Sequence, residues 1–124
     1  MEETEGGDAL AGAVDVLKAL ASAVRLATVV VLCEGPRCVH ELQTSIEASG
    51  RPVSQPRLSQ HLKVLRDAGL VTTTRRGTEI TYRLVDPHIG RIVNDAIGHS
   101  VGDVATLPPL APAERGAPPA VTPR

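Results

Sequence analysis

The stretch from Val53 to Leu65, V-S-Q-P-R-L-S-Q-H-L-K-V-L, has the pattern of a capped amphipathic helix. Ser54 is a favourable N-cap, and Pro56 is tolerated in a first turn because the backbone N–H groups there lack intrahelical partners. The apolar residues recur every three or four positions, which predicts one buried stripe along the helix. These residues are Leu58, Leu62 and Leu65, with Val64 beside them.

The other face of this predicted helix is polar and basic. Together with Ser54 it comprises Gln55, Arg57, Ser59, Gln60, His61 and Lys63. Glutamine and arginine are side chains whose paired hydrogen-bonding groups match adenine and guanine edges in a DNA major groove. We therefore interpret Val53–Leu65 as a DNA recognition helix, although the pattern alone fits an ordinary amphipathic surface helix equally well.

Charge is distributed unevenly along the chain, whose net charge is −1. Between Arg51 and Arg83 there are seven basic residues and two acidic ones, which gives this segment a net charge of +5. The first 17 residues carry five acidic side chains and no basic side chain before Lys18. A basic segment within a nearly neutral protein is typical of a DNA-binding surface.

The composition favours a small helical protein that dimerises. Among 124 residues there is no Phe or Trp and Tyr82 is the only aromatic residue, so the core must consist of Leu, Val, Ile and Ala. A small monomer buries little of its surface, and dimerisation would bury more. No apolar run reaches the ~18 residues of a membrane span, and the acidic start is unlike a secretory signal, so we expect a cytoplasmic protein. In that compartment Cys33 and Cys38 are expected to be reduced thiols.

The domain organisation is predicted from apolar spacing and proline content. Residues 1–8 are expected to be a mobile acidic tail, and apolar residues at helical spacing predict helices at 9–20, 22–33 and 38–46. Six of the ten prolines follow residue 107, which predicts a disordered Pro-rich tail at 105–124. One DNA-binding and dimerisation domain is therefore expected over residues 9–104.

Two β-rich runs follow the recognition helix, Val71–Thr74 and Ile80–Leu84, separated by R-R-G-T-E. Gly69 precedes them at a position suited to the left-handed geometry that ends a helix. The pattern predicts a hairpin with a basic tip, and a hairpin directly after a helix–turn–helix is a wing. Arg75 and Arg76 are expected to contact DNA phosphates, which set affinity and register rather than sequence. A solvated turn is the alternative.

Residues 20–84 resemble the ArsR/SmtB family of winged-helix metalloregulators. The resemblance rests on L-A-S-A-V-R-L (20–26), R-C-V-H-E-L (37–42), V-S-Q-P-R-L-S-Q-H-L-K-V-L-R-D-A-G-L-V (53–71) and R-R-G-T-E-I-T-Y-R-L (75–84). It implies a mainly α, winged helix–turn–helix fold with a β-hairpin wing, and a homodimer formed through the first and last helices. It also implies repression from a partly palindromic operator and release by an inducer. About five extra residues before Ser54 depart from the family pattern and imply a longer turn.

A last helix is predicted to begin at Asp86-Pro87, with Asp as N-cap and Pro at the first helical position, and to end near residues 101–104. His88 and His99 are eleven residues apart, a rise of ~16 Å along a helix, so both cannot bind one zinc ion within one helix. Eleven residues at ~100° each bring the two rings onto one face. Antiparallel pairing of two such helices would therefore place His88 beside the partner's His99.

This pattern resembles the zinc site on the last helix of SmtB-like sensors, which is D-x-H followed eleven residues later by H-x-x-E. The resemblance implies that Asp86, His88 and His99 are zinc ligands, with cobalt or nickel as alternative ions. Gly102 replaces the family's final acid, and either Asp103, at i+4 from His99, or a water molecule is expected to take its place. The alternative is that Asp86 only caps the helix and the histidines are polar surface residues.

A second candidate site comprises Cys33, Cys38 and His40. Soft-metal sensors of the family carry C-V-C-D-L at the third helix, and this chain has C-V-H-E-L at 38–42. Thiolate and imidazole suit zinc and softer ions, but two cysteines and one histidine fall short of a closed tetrahedral set. The simpler interpretation is a core position for Cys33 and a half-buried Cys38 without a metal. A thiol switch that joins the two cysteines is a further alternative.

The sequence therefore predicts a metal-responsive transcriptional repressor that binds double-stranded operator DNA as a homodimer and is released by zinc held between the two C-terminal helices. The alternative is an ArsR-type regulator without a metal, switched by thiol oxidation or another ligand. Catalysis is not expected, because Cys38 and His40 lie two residues apart on a helix and their side chains diverge. The sequence also has no Gly-rich phosphate loop.

Overall fold

The structure is a computed structural model that describes residues 2–102, with side chains from Asp8 onward. Its elements are α1 (Glu2–Leu20), α2 (Ala23–Leu32), β1 (Arg37–Cys38), α3 (Val39–Ala48), α4 (Gln55–Asp67), β2 (Val71–Arg76), β3 (Glu79–Leu84) and α5 (Pro87–Val101). This is the predicted mainly α fold with a β-hairpin wing. Asp103 and the predicted tail at 105–124 lie outside the described residues. Within residues 2–102 we find no helix of the length and apolarity needed to cross a lipid bilayer.

Aliphatic side chains from all five helices and β2 form the core, as the near absence of aromatic residues requires. Ser22 is the N-cap of α2, and its Oγ accepts a hydrogen bond from the Arg25 backbone N–H at 3.3 Å. The apolar residues with at most 1% of their surface exposed are Val29, Leu42, Ile46, Leu58, Leu62, Leu65 and Val93. The leucines predicted to form the buried stripe of the recognition helix are therefore confirmed as core residues.

The connection between α3 and α4 is the segment in which the sequence predicts a longer turn. α3 continues to Ala48, two residues beyond its predicted end, and residues 49–54 connect it to α4. Gln43 of α3 donates a hydrogen bond from Nε2 to the Val53 carbonyl at 3.0 Å, and Val53 itself is buried. The longer connection is therefore attached to the core immediately before α4 begins.

A three-stranded antiparallel sheet has the strand order β1-β3-β2. β2 and β3 pair along their whole length, so only Gly77 and Thr78 form the turn. The predicted five-residue tip at 75–79 is therefore wrong, because Arg75 and Arg76 belong to β2. Gly77 has a φ of 61°, and a two-residue hairpin turn requires such positive φ values, which glycine adopts without steric cost.

The short strand β1 is absent from the sequence-based prediction. Arg37 lies opposite Tyr82 and Cys38 lies opposite Thr81, so the residues just before α3 extend the sheet by one strand. A two-residue strand has no alternating pattern of its own. Its pairing with β3 depends on contacts between segments more than 40 residues apart in sequence.

α1 begins at Glu2, seven residues before its predicted start at Ala9. Residues 2–8 of the predicted tail are therefore helical, while their mobility stays a prediction. The apolar stripe predicted on α1 divides into two parts. Leu20 is buried, whereas Leu10, Val14 and Leu17 are 72%, 47% and 57% exposed.

α5 spans Pro87–Val101, close to its predicted limits. Ile89 and Val93 are buried, whereas Ile92 is 40% exposed. The internal contacts of the chain divide it into two units at this helix, with the boundary between Val93 and Asn94. The first unit contains the complete winged helix–turn–helix.

Candidate nucleic-acid interface and metal ligands

The predicted recognition helix begins where the sequence indicated. Ser54 is the N-cap of α4, and its Oγ accepts a hydrogen bond from the Arg57 backbone N–H at 3.2 Å. Pro56 lies in the first turn. Val64 is 40% exposed and lies outside the fully buried leucine stripe. The stripe therefore consists of leucines alone.

Most of the polar face of α4 is exposed. The exposed residues are Ser54, Gln55, Arg57, Ser59, Gln60 and Lys63. Lys63 Nζ forms an ion pair with Asp67 Oδ2 at 2.9 Å, one turn along the helix. Because both side chains of this pair are more than 60% exposed, the pair is worth little and Lys63 can exchange it for another anion.

His61 differs from the other residues of the predicted DNA-binding face, because it is half-buried against α2. Its Nδ1 lies 3.0 Å from Nη1 of Arg25. A guanidinium group has only donors, so Nδ1 accepts this hydrogen bond and the ring is neutral with its proton on Nε2. Burial, and then the charges of Arg25 and Arg57, lower the pKa of His61 below 6.5. Its predicted contact with DNA stays a prediction.

The two arginines of the wing lie on opposite faces of the hairpin. Arg75 is opposite Ile80 and Arg76 is opposite Glu79, and neighbouring residues of a strand alternate between faces. Both arginines are exposed, and Nη1 of Arg75 donates a hydrogen bond to the Gly77 carbonyl at 3.3 Å. The two arginines are adjacent in sequence, but in the hairpin their side chains point to opposite faces of the sheet.

A cleft of about 530 Å³ opens between the wing, α4 and the beginning of α3. Its lining includes Ser59 of α4, Tyr82 of β3, and both Cys38 and His40. The second candidate site therefore lies partly beside the predicted DNA-binding face. Cys38 is half-buried and Cys33 is exposed, and the two thiols are not joined in a disulfide.

Cys33 ends α2 and contacts the first turns of α5. The buried Gly90 of α5 lies so close to it that a Cβ atom added at residue 90 would be 2.5 Å from Cys33 Sγ. The sequence-based interpretation of Cys33 as a core residue is wrong with respect to burial, because the residue is exposed. Cys33 nevertheless packs against α5, because in this conformation its sulfur leaves no space for a side chain at residue 90.

The donors at the beginning of α5 are held in a defined arrangement. Oδ1 of Asp86 accepts a hydrogen bond from the His88 backbone N–H at 2.8 Å and lies 3.2 Å from His88 Nδ1. Asp86 thus caps the helix and also orients the imidazole. A carboxylate on one ring nitrogen is the arrangement that leaves the other nitrogen, here Nε2, for a metal.

Among the side chains that the structure describes, from Asp8 to residue 102, no three histidine, cysteine, aspartate or glutamate residues lie close enough together to hold a metal ion. Cys33, Cys38 and His40 are accordingly not gathered into a three-ligand site in this chain. His99 lies in the last turn of α5, eleven residues after His88, and Asp103 is outside the described residues. The candidate ligands on α5 can therefore complete a site only with donors from a second chain, from Asp103 or from solvent.

Comparison with known proteins identifies the family. A family profile described as bacterial regulatory protein, arsR family, matches residues 22–73. The HTH-type transcriptional repressor SmtB of Mycobacterium tuberculosis is 48% identical over 89 residues, which make up 72% of this chain and 62% of that protein. The crystal structure of the transcriptional repressor BigR from Xylella fastidiosa superposes with a TM-score of 0.64 at 35% identity, covering 81% of this chain and 96% of that one. The chain belongs to the ArsR family.

A second solved structure is described as homodimeric and as a possible ArsR-family transcriptional regulator. The homodimeric winged helix–turn–helix DNA-binding domain Mb0332 from Mycobacterium bovis superposes with a TM-score of 0.65 at 30% identity, covering 81% of this chain and 86% of that one. These relatives are regulators of transcription, so the prediction that this ArsR-family chain is not an enzyme is confirmed. The matched part of the chain spans less than two thirds of the length of the SmtB repressor.

Proposed function

We propose that this ArsR-family protein is a transcriptional repressor that binds operator DNA as a homodimer in the cytoplasm. The observation that carries the proposal is the exposed polar face of α4, on a helix that its buried leucines attach to the core. Arg57 and Gln60 are the residues on this face best suited to base edges, because their paired hydrogen-bonding groups match guanine and adenine. The names of the relatives support repression as the outcome.

The remaining basic residues would contact the DNA backbone. Lys63, with its exchangeable partner Asp67, and the wing arginines Arg75 and Arg76 are suited to phosphate oxygens. Because the two arginines lie on opposite faces of the hairpin, they would reach different phosphates. Each should contribute to affinity independently of the operator sequence.

A homodimer would cover the exposed apolar stripe of α1. Leu10, Val14 and Leu17 lie on one side of this helix and are largely exposed in the single chain. Covering such side chains is worth ~1.5–3 kcal/mol each when burial is complete. The homodimeric state of the related Mycobacterium bovis domain supports this assembly.

For the inducer, we propose a zinc site formed by His88 and the partner's His99. The hydrogen-bonded pair of Asp86 and His88 supports the proposal, because it presents Nε2 of a preoriented, exposed imidazole. Imidazole and carboxylate donors suit zinc, and equally cobalt or nickel. Asp103 is the carboxylate proposed to bind the ion, with water where Gly102 supplies no side chain, and Asp86 is proposed to orient His88 through Nδ1 rather than to bind the same ion.

The bound ion would supply a cross-link between the last helices of two chains. His88 and His99 would thereby restrain the angle between the subunits, and with it the distance between the two α4 helices. Two recognition helices fit successive major grooves only when they are ~34 Å apart. If the metal-bound dimer departs from this spacing, metal and DNA weaken each other's binding by the same factor.

The test is fluorescence anisotropy of the protein on its own promoter DNA, titrated with zinc and then with a chelator. We expect tight binding, release by about one zinc ion per subunit, and rebinding on chelation. His99→Ala should keep DNA affinity and lose the response to zinc. A zinc response that survives in His88→Ala and His99→Ala would contradict the proposed site, and failure of the protein to bind the DNA would contradict repression.

A matched pair of variants separates the thiol alternative. Cys33→Ser and Cys38→Ser leave every proposed α5 ligand unchanged, so their release by zinc should equal that of the unaltered protein. The alternative of a thiol-switched regulator predicts the opposite pattern. In that case an oxidant would release the unaltered protein from DNA, and both serine variants would stay bound.

A further inference from the structure

Arg25, in the first turn of α2, joins three helices through one side chain. Its Nε donates a hydrogen bond to the Ala19 carbonyl and its Nη2 donates to the Lys18 carbonyl at 3.5 Å. Its Nη1 donates to Nδ1 of His61 on α4 at 3.0 Å. The last carbonyls of a helix lack intrahelical partners and carry partial negative charge, so a cation at the end of α1 is favourable.

We infer that Arg25 is a positioning residue for DNA binding: it orients α4 through His61 relative to the C-terminal end of α1. The inference rests on the proposed function, since α4 must be the helix that contacts DNA. The buried leucines hold α4 through non-directional apolar contacts. The hydrogen bond between Arg25 and His61 is directional, and it fixes one side of the same helix.

The position of His61 on α4 gives this contact its effect. His61 immediately precedes the buried Leu62 and directly follows Gln60, whose side chain is exposed on the predicted DNA-binding face. A rotation of α4 that moves the imidazole therefore also moves the neighbouring Gln60 side chain, which is expected to contact a base. Because α1 carries the exposed apolar stripe proposed for dimerisation, Arg25 also connects the subunit contact to α4.

The hydrogen bond between Arg25 and His61 depends on the protonation state of His61. Arg25 cannot accept a hydrogen bond, so the contact exists only while Nδ1 carries no proton. The charged groups that act on the ring are Arg25 of α2 and Arg57 of α4, both cations, and α1 contributes the carbonyls of Lys18 and Ala19 through Arg25. A protonated His61 would face two cations and would lose its partner.

The first experiment is a double-mutant cycle on operator affinity at pH 7.5, using Arg25→Ala, His61→Ala and the double variant. Each single change should weaken DNA binding roughly tenfold, the value of one hydrogen bond to a charged group. The double variant should lose no more operator affinity than the single variant that binds DNA less tightly, because both changes break the same contact. Additive losses, or affinity unchanged in His61→Ala, would overturn the inference.

His61→Asn is the matched control, because its side-chain oxygen can accept from Arg25 where Nδ1 did. This variant should bind the operator more tightly than His61→Ala, a partial rescue that a general packing role for the ring would not give. It also keeps the test decisive if Arg25→Ala fails to fold. A loss in His61→Asn as large as that in His61→Ala would count against the inference.

The second experiment compares pH profiles between pH 7.5 and 5.5. The unaltered protein should lose operator affinity relative to His61→Asn as the pH falls, because protonation breaks the contact with Arg25. A simple charge effect has the opposite sign, since an added cation near DNA strengthens binding. If the affinities of the unaltered protein and His61→Asn change with pH in the same way, the inference about Arg25 is refuted but the proposed function is not. Absence of DNA binding by the unaltered protein would refute the proposed function.

Discussion

Helices α4 and α5 differ in how much of their proposed function one chain contains. α4 buries Leu58, Leu62 and Leu65 within its own chain and exposes a complete polar face. α5 leaves Ile92 40% exposed, and no three metal donors come together among the side chains described, which begin at Asp8. The proposed DNA recognition therefore depends on the fold of the single chain, whereas the proposed metal response depends on the assembly of two chains.

The largest expected effect is the loss of the α4 core. Leu62→Ala should lower the free energy of unfolding by ~2–5 kcal/mol, because a fully buried leucine leaves a cavity. Val64→Ala, on the same helix but 40% exposed, should cost about 1 kcal/mol or less. Urea unfolding followed by circular dichroism measures both. Equal losses would show that the leucine stripe does not hold α4 as described.

Replacing an exposed residue of α4 should separate DNA binding from stability. Arg57→Ala should weaken operator binding by ~1–3 kcal/mol, as for loss of a base contact, and leave the melting temperature nearly unchanged. Arg91→Ala removes the same charge from α5 and should change affinity by about twofold or less. Anisotropy titrations at fixed salt compare the two variants. Similar losses in both would indicate that general charge, not the α4 face, determines affinity.

The N-caps of the two helices offer a finer comparison. Ser54→Ala should cost ~1 kcal/mol of unfolding free energy, the usual value of one capping side chain. Asp86→Ala should cost a similar amount and should in addition weaken zinc binding, because Asp86 also contacts His88 Nδ1. Chelator competition measures the second effect. A capping role alone for Asp86 would leave zinc affinity unchanged.

The smallest expected effect is on the pH dependence of stability. The pKa of His61 lies below 6.5 in the folded chain because of burial and the two nearby arginines. As the pH falls below about 6.5, the unfolded chain therefore takes up this proton first. The free energy of unfolding should decrease and level off once the folded pKa is passed. Urea unfolding at three pH values should show a smaller decrease in His61→Asn, and the same decrease would contradict the prediction.

Local patterns predicted the fold well where one segment contains its own signal. The N-cap Ser54, the leucine stripe of α4 and the limits of α5 agree with the structure, because capping and periodicity are local properties. Strand β1 has only two residues, and its pairing with Tyr82 and Thr81 is not encoded nearby. The hairpin tip was predicted too long, because arginine occurs both in turns and in exposed strand positions and its presence does not mark where the strand ends.

The candidate site was predictable in residue type and less so in orientation. Helical periodicity placed His61 on the polar side of α4. The residue is half-buried instead, and Arg25, 36 residues away in sequence, donates a hydrogen bond to its ring. Adjacency in sequence grouped Arg75 with Arg76, whereas strand pairing separates them. The hydrogen bonds between Asp86 and His88 could have been expected from the Asp-x-His spacing, since an N-cap carboxylate reaches the second residue of its helix.

The contact between Cys33 and Gly90 has a consequence for how such chains can change over time. The sulfur of Cys33 fills the space that a side chain at residue 90 would need, because a Cβ atom there would lie 2.5 Å from Cys33 Sγ. The sulfur of Cys33 constrains a substitution of Gly90, because alanine at residue 90 needs that sulfur moved or removed. Related sequences that lack the cysteine are therefore free to carry a larger residue at the position of Gly90, and the two positions should vary as a pair.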